Sequence, residues 1–165
     1  MKTMVVILVL ISLAPFASGK EVVQEISWSE LSAGSNILHG IVDGENLKID
    51  EGPSRALPVS LLVIEHPRLN RAQYAVVGRI KYNDVKPAAY LEMWNDFGNG
   101  KKFFTRTGDS SGPLKTISGT SDWRFFALPF LAQADGPPPN QLEINMVFPG
   151  SGAVVLSPLQ LIQFE

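Results

Sequence analysis

The side chains best suited to molecular recognition sit at alternate positions between residues 79 and 106. In Ala89–Phe97, Tyr90, Glu92, Trp94 and Asp96 share one parity, and Leu91, Met93 and Phe97 share the other. Successive side chains of an extended chain point to opposite faces. A Tyr and a Trp therefore lie beside two carboxylates, while the apolar set turns to a core. Gly98-Asn99-Gly100 is a hairpin signal. Pairing Phe97 with Lys101 across it sets Trp94 opposite Phe104 and Glu92 opposite Arg106. Treating Asn83–Ala88 as a loop that pairs Tyr82 with Ala89 sets Lys81 opposite Tyr90, Arg79 opposite Glu92 and Val77 opposite Trp94. A slip of one residue in either register inverts the faces. These registers gather Tyr90, Glu92, Trp94, Phe104, Arg79 and Arg106 on one sheet face. Aromatic rings stack on the apolar C–H patches of sugars, and planar polar groups bond the hydroxyls, so the set suits carbohydrate. A second arrangement uses the same residues for the fold. Trp28 and Leu31 of the N-terminal segment cover Trp94 and Phe104, and Glu92 sits in a buried network between two arginines.

Catalytic constellations are sparse. Of the two histidines, His39 precedes Gly40 in a turn-like stretch and His66 precedes Pro67 at a strand end, and the sequence contains no Gly-x-Ser-x-Gly. No short-spaced His and carboxylate pair suggests a metal site, and no cofactor motif is present. Glu92 and Asp96 share a strand face but lie about 13 Å apart along it, too far for a glycosidase pair. Gly98-Asn99-Gly100-Lys101-Lys102 falls in a hairpin rather than before a helix, which removes it as a phosphate loop. The expectation is a non-enzyme without metal or cofactor.

The elements that must hold this face are strands. Runs of β-branched and aromatic residues are punctuated by Gly, Pro, Asn and Asp, and no long stretch keeps a 3.6-residue apolar period. Val59–Glu65, Gln73–Tyr82, Ala89–Phe97, Lys101–Thr107, Asp122–Phe130, Gln141–Phe148, Ala153–Leu156 and Leu159–Phe164 read as strands, with Asn46–Asp50 and the short Leu114–Ile117. Asn83–Pro87 reads as a turn, and Ile26–Leu31 as a strand or a helical turn. The total of about nine or ten strands predicts an all-β, two-sheet antiparallel sandwich of jelly-roll type.

The blocks Trp123–Phe130, Leu142–Met146 and Gly152–Leu156 resemble the carbohydrate-binding-module or galactose-binding-like sandwiches. There a Trp opens an alternating strand, a second alternating strand follows, and a Gly precedes the closing strands. Tyr90–Trp94 with Phe103–Arg106 also resembles a group of bacterial exported proteins of unassigned function. The resemblance spans about Tyr74–Phe164 and implies a binding module. The Asp that often helps hold a structural calcium in such modules has no counterpart near Val154–Ser157. Trp123 is expected to pack at the core or an edge, with Arg124 beside a carboxylate.

The 165 residues are 45% hydrophobic and 18% charged, with Lys+Arg 14 against Asp+Glu 16. That balance offers no basic field for nucleic acid. Cysteine is absent, which removes disulfides, thiolate metal sites and a thiol nucleophile. Lys2, the apolar Met4–Leu13 and the small residues Ala17-Ser18-Gly19 read as a signal peptide over residues 1–19, leaving a single domain over 20–165. No later segment is long and apolar enough to span a bilayer. The sequence thus predicts a secreted or periplasmic binding module, with a glycan or an envelope protein as partner. The alternative is a structural or protein-interaction domain of the envelope.

Overall fold

A computed structural model describes residues 19–34, 39–50, 58–98, 100–132 and 136–164. The expected signal peptide, Gly19 apart, lies outside the described residues. Ten strands and one short helix follow in order: β1 (Lys20–Ile26), α1 (Trp28–Ala33), β2 (Ile41–Asp43), β3 (Asn46–Ile49), β4 (Pro58–Glu65), β5 (Gln73–Asp96), β6 (Lys102–Arg106), β7 (Ile117–Leu131), β8 (Gln141–Val147), β9 (Ser151–Leu156) and β10 (Leu159–Phe164).

All strand pairings are antiparallel. The first sheet sets β7 on one side of β5, with β9 and β10 on the other. Outside these lie β3 and β2 beyond β9, and β1 beyond β10. The second sheet runs β6, the end of β5, β8, β4. Because β5 serves both, one ten-stranded sheet curls into a sandwich, the expected all-β class. Alternation places one face of each strand inside. Tyr74, Val76, Ile80, Leu91 and Met93 of β5 meet Leu142, Ile144 and Met146 of β8, and Leu62 and Ile64 of β4, in the main core, while Ala75 and Val77 join Ala127 and Ile162 in a smaller cluster on the other side of the first sheet.

The expected turn at Asn83–Pro87 is not there. β5 continues for 24 residues from Gln73 to Asp96. Its pairing with β7 shifts register between Tyr82 and Val85 and again between Val85 and Ala89. Bulges absorb the extra residues and bend the strand from one sheet into the other. Asp84 takes a left-handed φ of 50° there, a conformation Asp tolerates better than most residues. The turn residues are held extended because partners flank them: Val85 pairs with Gly119 of β7, and Lys86 with Ser151 of β9. Gly150 lets the β8–β9 connection approach this bend, since a Cβ there would collide with the Lys86 carbonyl and the Pro87 ring. β7 likewise begins at Ile117 rather than after a turn at Ser118–Ser121.

Trp28, expected over Trp94 and Phe104, is placed in the main core instead. Ile26 ends β1, and Ser27 caps α1 by accepting from the Glu30 amide at 3.4 Å. Trp28 is fully buried in the main core, and its Nε1 donates to the Ser157 carbonyl at 2.8 Å. Ser157 lies between β9 and β10, so α1 closes the first sheet rather than the second.

Candidate functional site

Four strands of the second sheet build one outward face in cross-strand rows. Arg106, Glu92, Asn145 and Ser60 form one row through successive pairings of β6, β5, β8 and β4. Phe104, Trp94, Glu143 and Val63 form the next, followed by Lys102, Asp96, Gln141 and Glu65. The register assumed across Gly98–Gly100 is the observed one, with Trp94 opposite Phe104 and Glu92 opposite Arg106. A short glycine-rich connection leaves the two strands little freedom to slip.

The rings cluster on the β5–β6 side. Trp94 and Phe104 lie 4.9 Å apart between centroids, tilted by 39°. The Arg106 guanidinium carbon stands 5.2 Å from the Tyr90 ring centroid and 5.7 Å from that of Phe104. A cation over two aromatic faces is held at a defined position without an ion pair. Phe104 is 50% exposed, and Tyr90 and Trp94 are part-buried. The face is open to solvent where the rings lie.

Beside the rings the face becomes polar, and its side chains are nearly fully buried. Glu92 is 6% exposed and Asn145 is 5% exposed. Glu92 Oε1 accepts from the Trp94 indole at 2.8 Å and from Asn145 Nδ2 at 3.4 Å. The first bond fixes the indole in the face; both are given by neutral donors. Asn145 Oδ1 and the Ser60 hydroxyl are buried without a hydrogen-bond partner among the described residues. At the far end Asp96 accepts from the Gly98 amide at 2.7 Å and pairs with Lys102 at 2.9 Å. The amide first, and the lysine second, hold the Asp96 carboxyl below the usual aspartate range. The same pair raises the Lys102 ammonium above the usual lysine value.

Five of the six expected residues come together: Tyr90, Glu92, Trp94, Phe104 and Arg106. Arg79 does not join them. Its expected place opposite Glu92 required the turn at Asn83–Ala88. With β5 continuous, Arg79 pairs with Phe125 of β7 on the outer face of the first sheet. There its guanidinium carbon lies 5.6 Å from the Trp123 ring centroid, and the Lys81 ammonium lies at 5.0 Å. Glu92 accordingly has one arginine across from it rather than two, and no ion pair among the described residues. Arg124 turns to the Tyr82 hydroxyl and the Lys115 carbonyl rather than to a carboxylate.

The sequence reading missed Asn145, Glu143 and Ser60. A signal for two of them was present: Leu142, Ile144 and Met146 alternate inward, so Glu143 and Asn145 had to point out. Among the described residues, no group of three or more His, Asp or Glu is placed to hold a metal ion, and no helix is long and apolar enough to cross a membrane. A groove of about 400 Å³ lies at the β4 edge of this face, lined among others by Val23, Ile26, Leu31, Leu62, Val63 and Glu65.

No protein-family model and no curated protein matches the sequence. Among solved structures, a CBM4 module is matched at TM-score 0.47 and 8% identity, over 75% of this chain and 74% of the other. A CBM29-2 variant complexed with cellulohexaose is matched at TM-score 0.47 and 10% identity, over 87% and 89%. The CBM22-1 xylan-binding domain of Paenibacillus barcinonensis Xyn10C is matched at TM-score 0.46 and 14% identity, over 90% and 97%. At such scores and identities these likenesses carry no functional weight.

Proposed function

We propose that this protein is a non-catalytic extracytoplasmic binding module that takes carbohydrate on the outer face of its second sheet. The observation that carries the proposal is the solvent-open cluster of Trp94, Phe104, Tyr90 and Arg106, contiguous with the polar row Glu92–Asn145. Rings offer apolar planes for the C–H faces of a sugar, and the adjoining carboxylate and amide offer directional partners for its hydroxyls. The indole is held by Glu92 and the guanidinium by two rings, so little side-chain freedom is lost on binding. Export is supported by the positive, apolar and small-residue segments of residues 1–19.

The test is a glycan array probed with the purified protein and with Trp94→Ala. The reading expects binding to a subset of glycans by the wild type and loss of that signal in the variant. Binding to no glycan refutes it and favours a protein-interaction domain of the envelope.

A further inference from the structure

The outer face of the first sheet carries a second aromatic cluster, with the opposite charge. Trp123 of β7 is flanked by two cations of β5: the Lys81 ammonium lies 5.0 Å and the Arg79 guanidinium carbon 5.6 Å from the ring centroid. Arg79 and Lys81 are two residues apart on one extended strand, so both stand on the same face, about 7 Å apart along it. Neither side chain has an ion pair or a hydrogen bond among the described residues. Arg79 is exposed, and Lys81 and Trp123 are part-buried. The donors of both cations therefore face solvent, held near one ring by cation–π attraction alone. The neighbouring carboxylate, Asp122, is turned to the backbone, where its Oδ1 accepts from the Trp123 amide at 2.7 Å. Two like charges at one ring without a counter-charge are an arrangement that an anion completes.

The same face continues across the sheet. Lys81 pairs with Val155 of β9, Val155 with Lys48 of β3, and Lys48 with Ile41 of β2. Ile41 is 67% exposed, and Lys48 holds Asp50 at 3.0 Å. Cation and apolar side chain alternate along this row over three strand spacings, about 14 Å. Such alternation suits a chain whose anionic groups are separated by C–H faces, as in a polyuronate or a sulfated polysaccharide. A nucleic-acid strand carries a phosphate about every 3.4 Å and calls for a denser track of cations, whereas this chain has a net charge of −2. The ring face is the less favourable place for an anion. It carries Glu92, Asp96, Glu143 and Glu65 against Arg106 and Lys102, and Lys102 is taken by Asp96.

We propose that Trp123, Arg79 and Lys81 form a second saccharide site, on the outer face of the first sheet, that takes the carboxylate or sulfate of an acidic polysaccharide. The anionic oxygens bridge the guanidinium and the ammonium, and the sugar that bears them rests on the indole and Val155. This site does not rest on the ring-face reading given above.

The experiment is affinity electrophoresis, followed by calorimetry, with polygalacturonate for the carboxylate and a sulfated galactan for the sulfate. Neutral polymers (a β-glucan, a galactomannan) report on the ring face, and a single-stranded oligonucleotide serves as an anion of another class. The wild type is expected to bind at least one acidic polymer. Arg79→Ala and Lys81→Ala should each weaken that binding roughly tenfold or more, while lowering the melting temperature by no more than about 4 °C. Trp123→Ala should weaken it at least as much, and the two cation variants decide the matter where Trp123→Ala fails to fold. Lys101→Ala, which removes the same charge from the β5–β6 hairpin, and Trp94→Ala should leave acidic binding unchanged. Binding of neither acidic polymer overturns the site. So does an equal loss in Lys101→Ala, which marks diffuse attraction, and so does an oligonucleotide bound as tightly through the same residues. If Trp94→Ala loses the acidic polymer while Arg79→Ala keeps it, the ring-face reading stands and the second site falls. If no neutral polymer binds and the acidic one depends on Arg79 and Lys81, the second site stands without the first.

Discussion

Replacing Trp28 by Phe tests the placement of the N-terminal segment, and with it the openness of the ring face. Trp28 is fully buried and donates through Nε1 to the Ser157 carbonyl at 2.8 Å. Phe keeps most of the apolar contact but loses about 40 Å² of buried ring, roughly 1 kcal/mol at 25 cal/mol per Å². The lost hydrogen bond adds about 1 kcal/mol, because the carbonyl between β9 and β10 is left without its donor. The total of about 2 kcal/mol lowers the melting temperature by roughly 4–8 °C in a domain of this size. Thermal unfolding followed by circular dichroism reads it, and the remaining indoles, Trp94 and Trp123, report the same transition by fluorescence. Carbohydrate affinity should not change, since Trp28 lies in the core beside Ser157 and not over Trp94. A shift below 1 °C would refute the docking of α1, and a change in sugar affinity at constant stability would return Trp28 to the ring face.

Further outcomes follow from particular contacts. Tyr74→Phe removes the buried phenol that donates to Asn95 Oδ1 at 2.7 Å. It strands that acceptor between the sheets and should cost about 1–3 kcal/mol in chemical denaturation. Burial raises the Tyr74 phenol far above its ordinary value, so alkaline titration should find it protonated while the fold lasts. Gly150→Ala presses a methyl into the Lys86 carbonyl and should destabilise by about 1–3 kcal/mol, read as a lower urea midpoint. The folded Asp96 carboxyl titrates below its unfolded value. Its contribution is therefore complete above the ordinary aspartate range and is lost as pH falls through the depressed value. NMR titration of Lys102→Ala should move the Asp96 midpoint only part of the way back up, because the Gly98 amide is the larger cause.

The sequence reading succeeded where local chemistry decides and failed where partners are distant. The β5–β6 register was legible because Gly98-Asn99-Gly100 permits a tight connection, and five site residues followed from it. Asn83–Ala88 also carries turn-favouring residues, Asn83, Asp84 and Pro87, yet the chain passes through it extended. The difference lies in β7 and β9, which pair with both sides of that stretch. No local pattern reveals such flanking, and the error carried Arg79 to the wrong sheet. Parity along β8 announced that Asn145 faces outward, but which strand borders Glu92 is a question of topology. The bulge between Ser60 and Leu62 that brings Ser60 opposite Asn145 has no local signal either. Trp28 was legible as a large apolar residue but not as the donor to a carbonyl 129 positions away.

The central claim is that the Trp94–Phe104 face holds a sugar. Calorimetry of wild type and Trp94→Ala against the neutral glycan bound best tests it most directly. A ring at the centre of a binding patch is worth about 2 kcal/mol or more, so the account predicts a loss of roughly thirtyfold or greater in affinity, with the circular dichroism of the fold unchanged. An affinity equal to that of the wild type in the folded variant would contradict it.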